Sequence, residues 1–220
     1  MLTNLVREDR RTLKISVDRY GEMHIVAPKN MPLADIVDFV TRKEKWIHKR
    51  QTAKKELVNK NKVILEYEKY LYLGEAYEPV FSNVKTISIE NNYLLIPIKY
   101  KDKEKKAVVK FLKERALYII ENRLLHLAAS FNLKFGAVSL INSKNRWGTA
   151  SPQRELSFNW RLIMLPPPII DYVICHELSH LVELNHSPRF YAVLEKMMPT
   201  YKKHSKDLKD SVHVLELFRD

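Results

Sequence analysis

Residues 171–186 read Asp-Tyr-Val-Ile-Cys-His-Glu-Leu-Ser-His-Leu-Val-Glu-Leu-Asn-His and contain the spacing His-Glu-x-x-His in His176, Glu177 and His180. Four residues along an α-helix is a little over one turn, so two imidazoles leave one face and can hold a single metal ion between them. Glu177 sits beside that face, where its carboxylate can take a proton from a water. A third histidine, His186, follows six residues after His180. It reaches the same ion if the helix ends and the chain turns back after about Leu184, and Asn185 tolerates the left-handed conformation that ends helices. Three neutral nitrogens and one position open to water make the arrangement of a catalytic zinc site. The spacing therefore predicts one Zn2+ on His176, His180 and His186, with Glu177 as general acid and base. Glu183 shares the stripe, but it lies about 10 Å in rise beyond His176 and is expected to support a ligand from behind.

The elements that must position these side chains are also legible. Pro166-Pro167-Pro168 marks a helix start, and Asn185-His186-Ser187-Pro188 an end followed by a new start. Ile170, Val173, Ile174, Leu178 and Leu181 give the helix an apolar side separate from the histidine stripe. Cys175, beside His176, reads as a small buried helix residue. Ahead of this helix, residues 137–141 are strand-like, 142–151 form a polar loop and 156–160 a strand. An extended segment there is placed to offer a free edge to a substrate backbone. Arg146, Trp147, Gly148 and Asn159 are candidates to line that cleft, Gly148 by allowing close backbone approach. The competing reading makes Trp147 and Trp160 core residues and Gly148 a plain turn. After the metal helix, Ser187 can cap a helix with Pro188 in its first turn and Phe190, Val193, Leu194, Met197 and Met198 on its buried side. Residues 202–218 read as one more amphipathic helix, and His204 within it as a surface residue. Tyr191, Tyr201, His204 and Arg146 are candidates for a second donor to a developing oxyanion.

Further upstream, residues 12–17 and 22–27 alternate apolar and polar around the turn 18–21, the pattern of a β-hairpin. Apolar residues from Leu33 to Ile47 recur at helical spacing, predicting one helix from Pro32 to about Lys55. Residues 70–73, 76–81, 85–90 and 93–98 read as a small antiparallel sheet with Gly74 and Asn91-Asn92 at turns. Residues 99–106 are a charged linker or helix start, and a long helix runs from there to about Ser130. The pattern divides the chain into a β-rich lobe with one basic helix, residues 1–100, and a catalytic lobe, residues 101–220, the two expected to form one continuous functional domain.

At 45% hydrophobic content, 220 residues can bury a sizeable core. A single cysteine allows no internal disulfide and fits a reducing compartment. The first ten residues lack the apolar core of a signal peptide, and no apolar run reaches membrane-spanning length. These features predict a soluble cytoplasmic protein with no membrane partner. The net charge of +12 favours acidic partners or nucleic acid, and residues 1–62 carry 15 Lys/Arg against 8 Asp/Glu, a surplus of +7. The densest run, residues 42–50, reads first as a solvated helix face with Trp46 and Ile47 turned inward, and second as a nucleic-acid patch.

Taken together, these blocks resemble the YgjP-like metallopeptidase family, related more loosely to SprT-like zinc peptidases. The resemblance covers most of the chain. It rests on Lys45-Trp46-Ile47, Tyr72-Leu73-Gly74, Arg146-Trp147-Gly148, the run 156–162, the run 171–181, Asn185-His186-Ser187 and Met198-Pro199. Members usually read Trp-Gly-Ser-Cys-Ser where this chain has Trp147-Gly148-Thr149-Ala150-Ser151, so nothing attached to that cysteine carries over. The spacing also resembles the metzincin motif, with Glu183 where those enzymes have glycine. The family resemblance implies an α+β, zincin-like fold with an N-terminal antiparallel β-rich lobe, zinc on His176, His180 and His186, and Glu177 as catalytic acid and base.

The expected reaction is hydrolysis of a peptide bond in a protein or peptide substrate. Two alternatives stand beside it. One is hydrolysis of a nucleotide or other phosphoanhydride, for which no Gly-rich phosphate loop is present. The other is a basic, nucleic-acid-associated binding module with a structural zinc.

Overall fold

The computed structural model describes residues 4–18, 21–66 and 69–218, and the chain falls into two compact units, residues 1–63 and 64–220. In the first, β1 (Leu5–Glu8), β2 (Lys14–Val17) and β3 (Met23–Pro28) form a sheet in the order β1-β3-β2. The expected hairpin is β2 against β3, antiparallel, with Val17 opposite Met23. The turn residues Arg19 and Tyr20 lie outside the described residues. Strand β1, which the sequence pattern did not single out, pairs in parallel on the other side of β3.

Two helices follow where one was expected, α1 (Leu33–Arg42) and α2 (Glu44–Glu66). They part at Lys43, inside the exposed run 41–45, which has no apolar side chain to hold a continuous helical path against a core. Ile25, Ala27 and Ile36 make the small core of this unit. Ile47 turns inward as expected. Trp46 does not: it remains largely exposed, with the Arg50 guanidinium 5.7 Å from its ring.

The second unit begins with β4 (Tyr70–Tyr72), β5 (Glu75–Ser82), β6 (Ser88–Glu90) and β7 (Tyr93–Pro97), in the order β4-β5-β7-β6. The sequence pattern grouped these strands with residues 1–100 as an antiparallel sheet. They belong instead to the unit that carries the metal helix, and β5 and β7 are parallel. The reason is the order of strands: β6 hairpins onto β7 from the outside, which returns β7 beside β5 in the same direction. Between β4 and β5, Leu73 and Gly74 both have positive φ, 51° and 91°, as a two-residue hairpin turn requires. A Cβ on Gly74 would lie 2.8 Å from Pro166 Cγ. The turn also donates from Leu73 N to Ile163 O (2.7 Å) and from Gly74 N to Met164 O (3.2 Å), fixing the chain just before the metal helix starts.

The long helix α3 (Glu104–Ser130) buries Val108, Leu112, Ala116, Ile120, Leu124 and Ala128, one residue per four along a single line. Three short strands follow, β8 (Val138–Ile141), β9 (Gly148–Ala150) and β10 (Leu156–Asn159). Strand β10 is central, parallel to β8 and antiparallel to β9, so β9 is an edge. The chain then forms α4 (Pro167–His180), α5 (Pro188–Met197) and α6 (Tyr201–Asp210). The tail expected as one helix divides into α6 and a 3-10 segment, Val212–Glu216. The fold is α+β, with β-sheet in the N-terminal part and a helical C-terminal part bearing the His176-Glu177-x-x-His180 motif on α4. Among the described residues no helix is long and apolar enough to cross a membrane.

Candidate metal centre

Helix α4 begins at Pro167 with Pro166 before it, as the proline run predicts. It is buried on most sides: Ile169, Ile170, Tyr172, Val173, Ile174, Cys175 and Leu178 all belong to the core. Asp171 in its second turn receives a forked pair from Arg123 of α3, which holds the helix in azimuth. Cys175 is fully buried, and burial, followed by the charge of Asp171, pushes its thiol up to about 12. A thiol so far from ionising is a packing group, in keeping with the sequence reading.

His180 is the last residue of α4, so the chain turns back at Leu181, sooner than the expected point after Leu184. Glu183 N donates to Ser179 O (2.9 Å) to close the turn. Ser187 then caps α5, its hydroxyl accepting from Phe190 N at 3.3 Å, with Pro188 in the first helical position. His186 is thereby swung over the end of α4. The ligand nitrogens of His176, His180 and His186 lie within 4.8 Å of one another, and the Nε2 atoms of His176 and His186 are 3.1 Å apart. That separation suits two nitrogens each about 2.0–2.1 Å from one tetrahedral ion.

The donor chemistry fits as well. The Nδ1 of His180 is 3.2 Å from the Glu183 carbonyl. A carbonyl only accepts, so Nδ1 carries the proton and Nε2 keeps its lone pair for the ion. Glu183 thus orients the His180 ring, but through its backbone; its carboxylate faces Arg189 at 3.7 Å. Burial, then the neighbouring His180 and His186, lowers the His176 pKa to about 4. Burial is also the main reason His180 is lowered. Both are neutral near pH 7, the state that binds zinc without first losing a proton.

One residue the sequence did not mark as part of the site is Phe190. Its ring lies 5.0, 4.6 and 4.7 Å from the rings of His176, His180 and His186, and it is fully buried. It forms an apolar platform under all three imidazoles. The signal was present in its place, three residues after the Ser187 cap and four after His186. Tyr191, next in sequence, sits 6.3 Å from the His186 ring and stacks on Tyr201. His204 is half-buried beside Asp207, 3.6 Å away.

Glu177 is 5% exposed. Burial alone pushes its carboxyl up to about 8, with no hydrogen-bond or ion-pair partner among the described residues. Against it lies the edge strand β9: a Cβ built on Gly148 would be 2.6 Å from Glu177 Oε1 and 2.8 Å from its Cγ. Gly148 therefore does more than make a turn, because any side chain there would displace the carboxylate. Gly148→Ala is expected to cut turnover about 100-fold, the usual scale for misplacing a reacting group by about 1 Å, with zinc content unchanged. A kcat within threefold of the parent would show that Glu177 does not depend on this contact.

The remaining cleft candidates separate. Arg146 is exposed, and Trp147 is half-buried against the core. Asn159 is fully buried. Its Nδ2 donates to Ser143 O (2.8 Å) and Arg146 O (3.0 Å), while its Oδ1 accepts from Arg161 N (3.2 Å). With its amide committed, Asn159 shapes the loop that leads into Gly148. Trp160 is core, as the competing reading held, and its Nε1 donates to Asn142 Oδ1 at 3.3 Å.

A family model described as YgjP-like, metallopeptidase domain, matches residues 11–211. Among solved structures, the metallopeptidase zymogen abylysin of Pyrococcus abyssi aligns at 20% identity and TM-score 0.39, covering 42% of this chain and 93% of that one. The metallopeptidase zymogen jannalysin of Methanocaldococcus jannaschii aligns at 17% identity and TM-score 0.39, covering 42% and 96%. No curated protein sequence matches significantly.

Proposed function

Because the chain belongs to the YgjP-like metallopeptidase family and gathers three imidazoles where they could hold one zinc ion, we propose that it hydrolyses peptide bonds with Glu177 as general base. The observation that carries this assignment is the isolated, buried carboxyl of Glu177 one residue from a metal ligand. Burying a carboxyl with no partner costs several kcal/mol, and a group kept there at that cost is suited to proton transfer near neutral pH.

His176, His180 and His186 would hold the ion. Zinc in that position supplies a Lewis acid that polarises the scissile carbonyl and eases the ionisation of water. The protein supplies the rest. Glu177 takes the proton of the attacking water and hands it to the departing amine nitrogen. Gly148 leaves room for that carboxylate, and the free edge of β9 offers main-chain groups to an extended peptide. Arg146 and Trp147, on the loop that Asn159 holds, flank the approach. Phe190 fixes the imidazole planes and excludes water from beneath them. We assign the activity to a reducing cytoplasm, in keeping with the one buried cysteine.

The test compares substrate classes. The protein loaded with one equivalent of zinc is expected to release new α-amino groups from an unfolded protein, and no phosphate from nucleoside triphosphates. Phosphate release without peptide cleavage would replace the peptidase reading, and loss of the fold on zinc removal with neither activity would make the zinc structural.

A further inference from the structure

A cavity of about 1240 Å³ shares no residue with the metal centre. It is framed by the 3-10 segment Ile98–Lys103, the first turns of α3, the start of β4, Asn142, and Phe218 at the other end of the unit. Seven lysines line it against three carboxylates. One of those carboxylates, Glu104, accepts from the Tyr70 hydroxyl at 3.0 Å, and Glu114 faces Lys110 at 3.8 Å. Lys69, Lys101, Lys103, Lys105, Lys106 and Lys113 have no ion-pair partner among the described residues.

The charges are arranged, not scattered. Lys106, Lys110 and Lys113 are spaced i, i+4, i+7 on α3 and so share one face. With Lys103 just before the helix, the row extends over about 15 Å, more than one phosphate group can span. Aromatic rings lie beneath, Tyr70 and Trp160 buried in the core and Phe218 half-buried at the surface. Tyr70 stacks on Phe218 with centroids 5.6 Å apart and planes within 5°, Trp160 lies 6.4 Å from the same ring, and the Lys113 ammonium is 5.6 Å from the Trp160 centroid.

We propose that this cavity binds a single strand of nucleic acid. A row of ammonium groups matches the regularly spaced phosphates that a strand presents, and half-buried Phe218 is the ring with surface left for a base. The volume also exceeds the roughly 300–1,000 Å³ usual for a small-molecule pocket. Lysines are point charges that pair with phosphate in any orientation. This inference does not depend on the peptidase assignment.

The experiment measures binding of a fluorescent twelve-residue oligothymidylate to the full chain by anisotropy over a range of salt. The comparison is with Lys106→Gln/Lys110→Gln/Lys113→Gln, and with a control carrying glutamine at the exposed lysines Lys196, Lys202 and Lys209. The triple variant at the cavity is expected to bind at least tenfold more weakly at low salt. Its slope of log affinity against log salt should be shallower by about 2, since each single-strand phosphate contact contributes about 0.7. The control should match the parent, and matching melting curves establish that both variants are folded. Equal affinity and slope for parent and cavity variant would overturn the proposal. So would oligoglutamate of the same length binding as tightly as the oligothymidylate, or inorganic tripolyphosphate doing so, which would reassign the cavity to an acidic peptide or a small phosphate ligand.

Discussion

Glu177→Gln is expected to retain one zinc per chain and lose peptide hydrolysis by about 10³-fold, within the usual range for removing a general base. Glutamine keeps the volume and the contact with Gly148 but cannot accept and return a proton. Zinc content and turnover, measured on one preparation, separate loss of the base from loss of the ion. Normal turnover with zinc bound would remove Glu177 from the chemistry. The same substitution has a second consequence in the metal-free protein. Burial holds the Glu177 carboxyl at about 8 in the folded state, against 4.5 for the free group. Between those values the folded chain retains a proton that the unfolded chain has released, so stability falls as pH rises from 4.5 to 8. At pH 7 the cost amounts to about 3 kcal/mol, at about 1.4 kcal/mol per pH unit. Glutamine does not ionise, so chelator-treated Glu177→Gln should melt well above the parent at pH 7 and level with it at pH 4. An equal gap at both pH values would mean that the carboxyl is not buried uncharged.

The two parts of this site that are local in sequence were legible, and the parts that depend on closure in space were not. His176, Glu177 and His180 declare themselves because a helix converts a four-residue spacing into a shared face. The Ser187-Pro188 start is equally local, since the cap bonds an amide only three residues away. Gly148 was readable as a place of close approach, but not what approaches it, because Glu177 comes from an element 29 residues later. Phe190 was visible only as an apolar residue on a short helix. Its role under three imidazoles follows from the angle at which α5 leaves α4, which the turn 181–187 sets. Asn159 shows the opposite error: a polar residue at a strand end suggests a cleft, yet its amide is spent on backbone groups of the neighbouring loop. Strand direction failed for a related reason. Alternating residues identify β5, β6 and β7 one by one, while the parallel pairing of β5 with β7 depends on which strand takes the outer position.

The ligand set makes the other large prediction. His176→Ala is expected to reduce zinc binding by more than about 100-fold, because loss of an outer partner to a ligand already costs 10–100-fold and here the ligand itself is removed. The two remaining imidazoles, His180 at the helix end and His186 beyond the turn, cannot close a three-nitrogen face around an ion. Melting should remain cooperative, since Phe190 and the core side of α4 are untouched. Glu183→Ala is the informative companion. If the carboxylate were a ligand, this change would lower zinc stoichiometry as His176→Ala does. The carbonyl that orients His180 belongs to the backbone, so zinc content should stay at one per chain when the side chain is cut back. Replacing Pro188, which opens α5, would shift His186 without touching any donor, but the alanine pair is cleaner because neither member alters the turn. Unchanged zinc in His176→Ala, or lost zinc in Glu183→Ala, would each redraw the coordination of the ion and with it the position from which Glu177 must act.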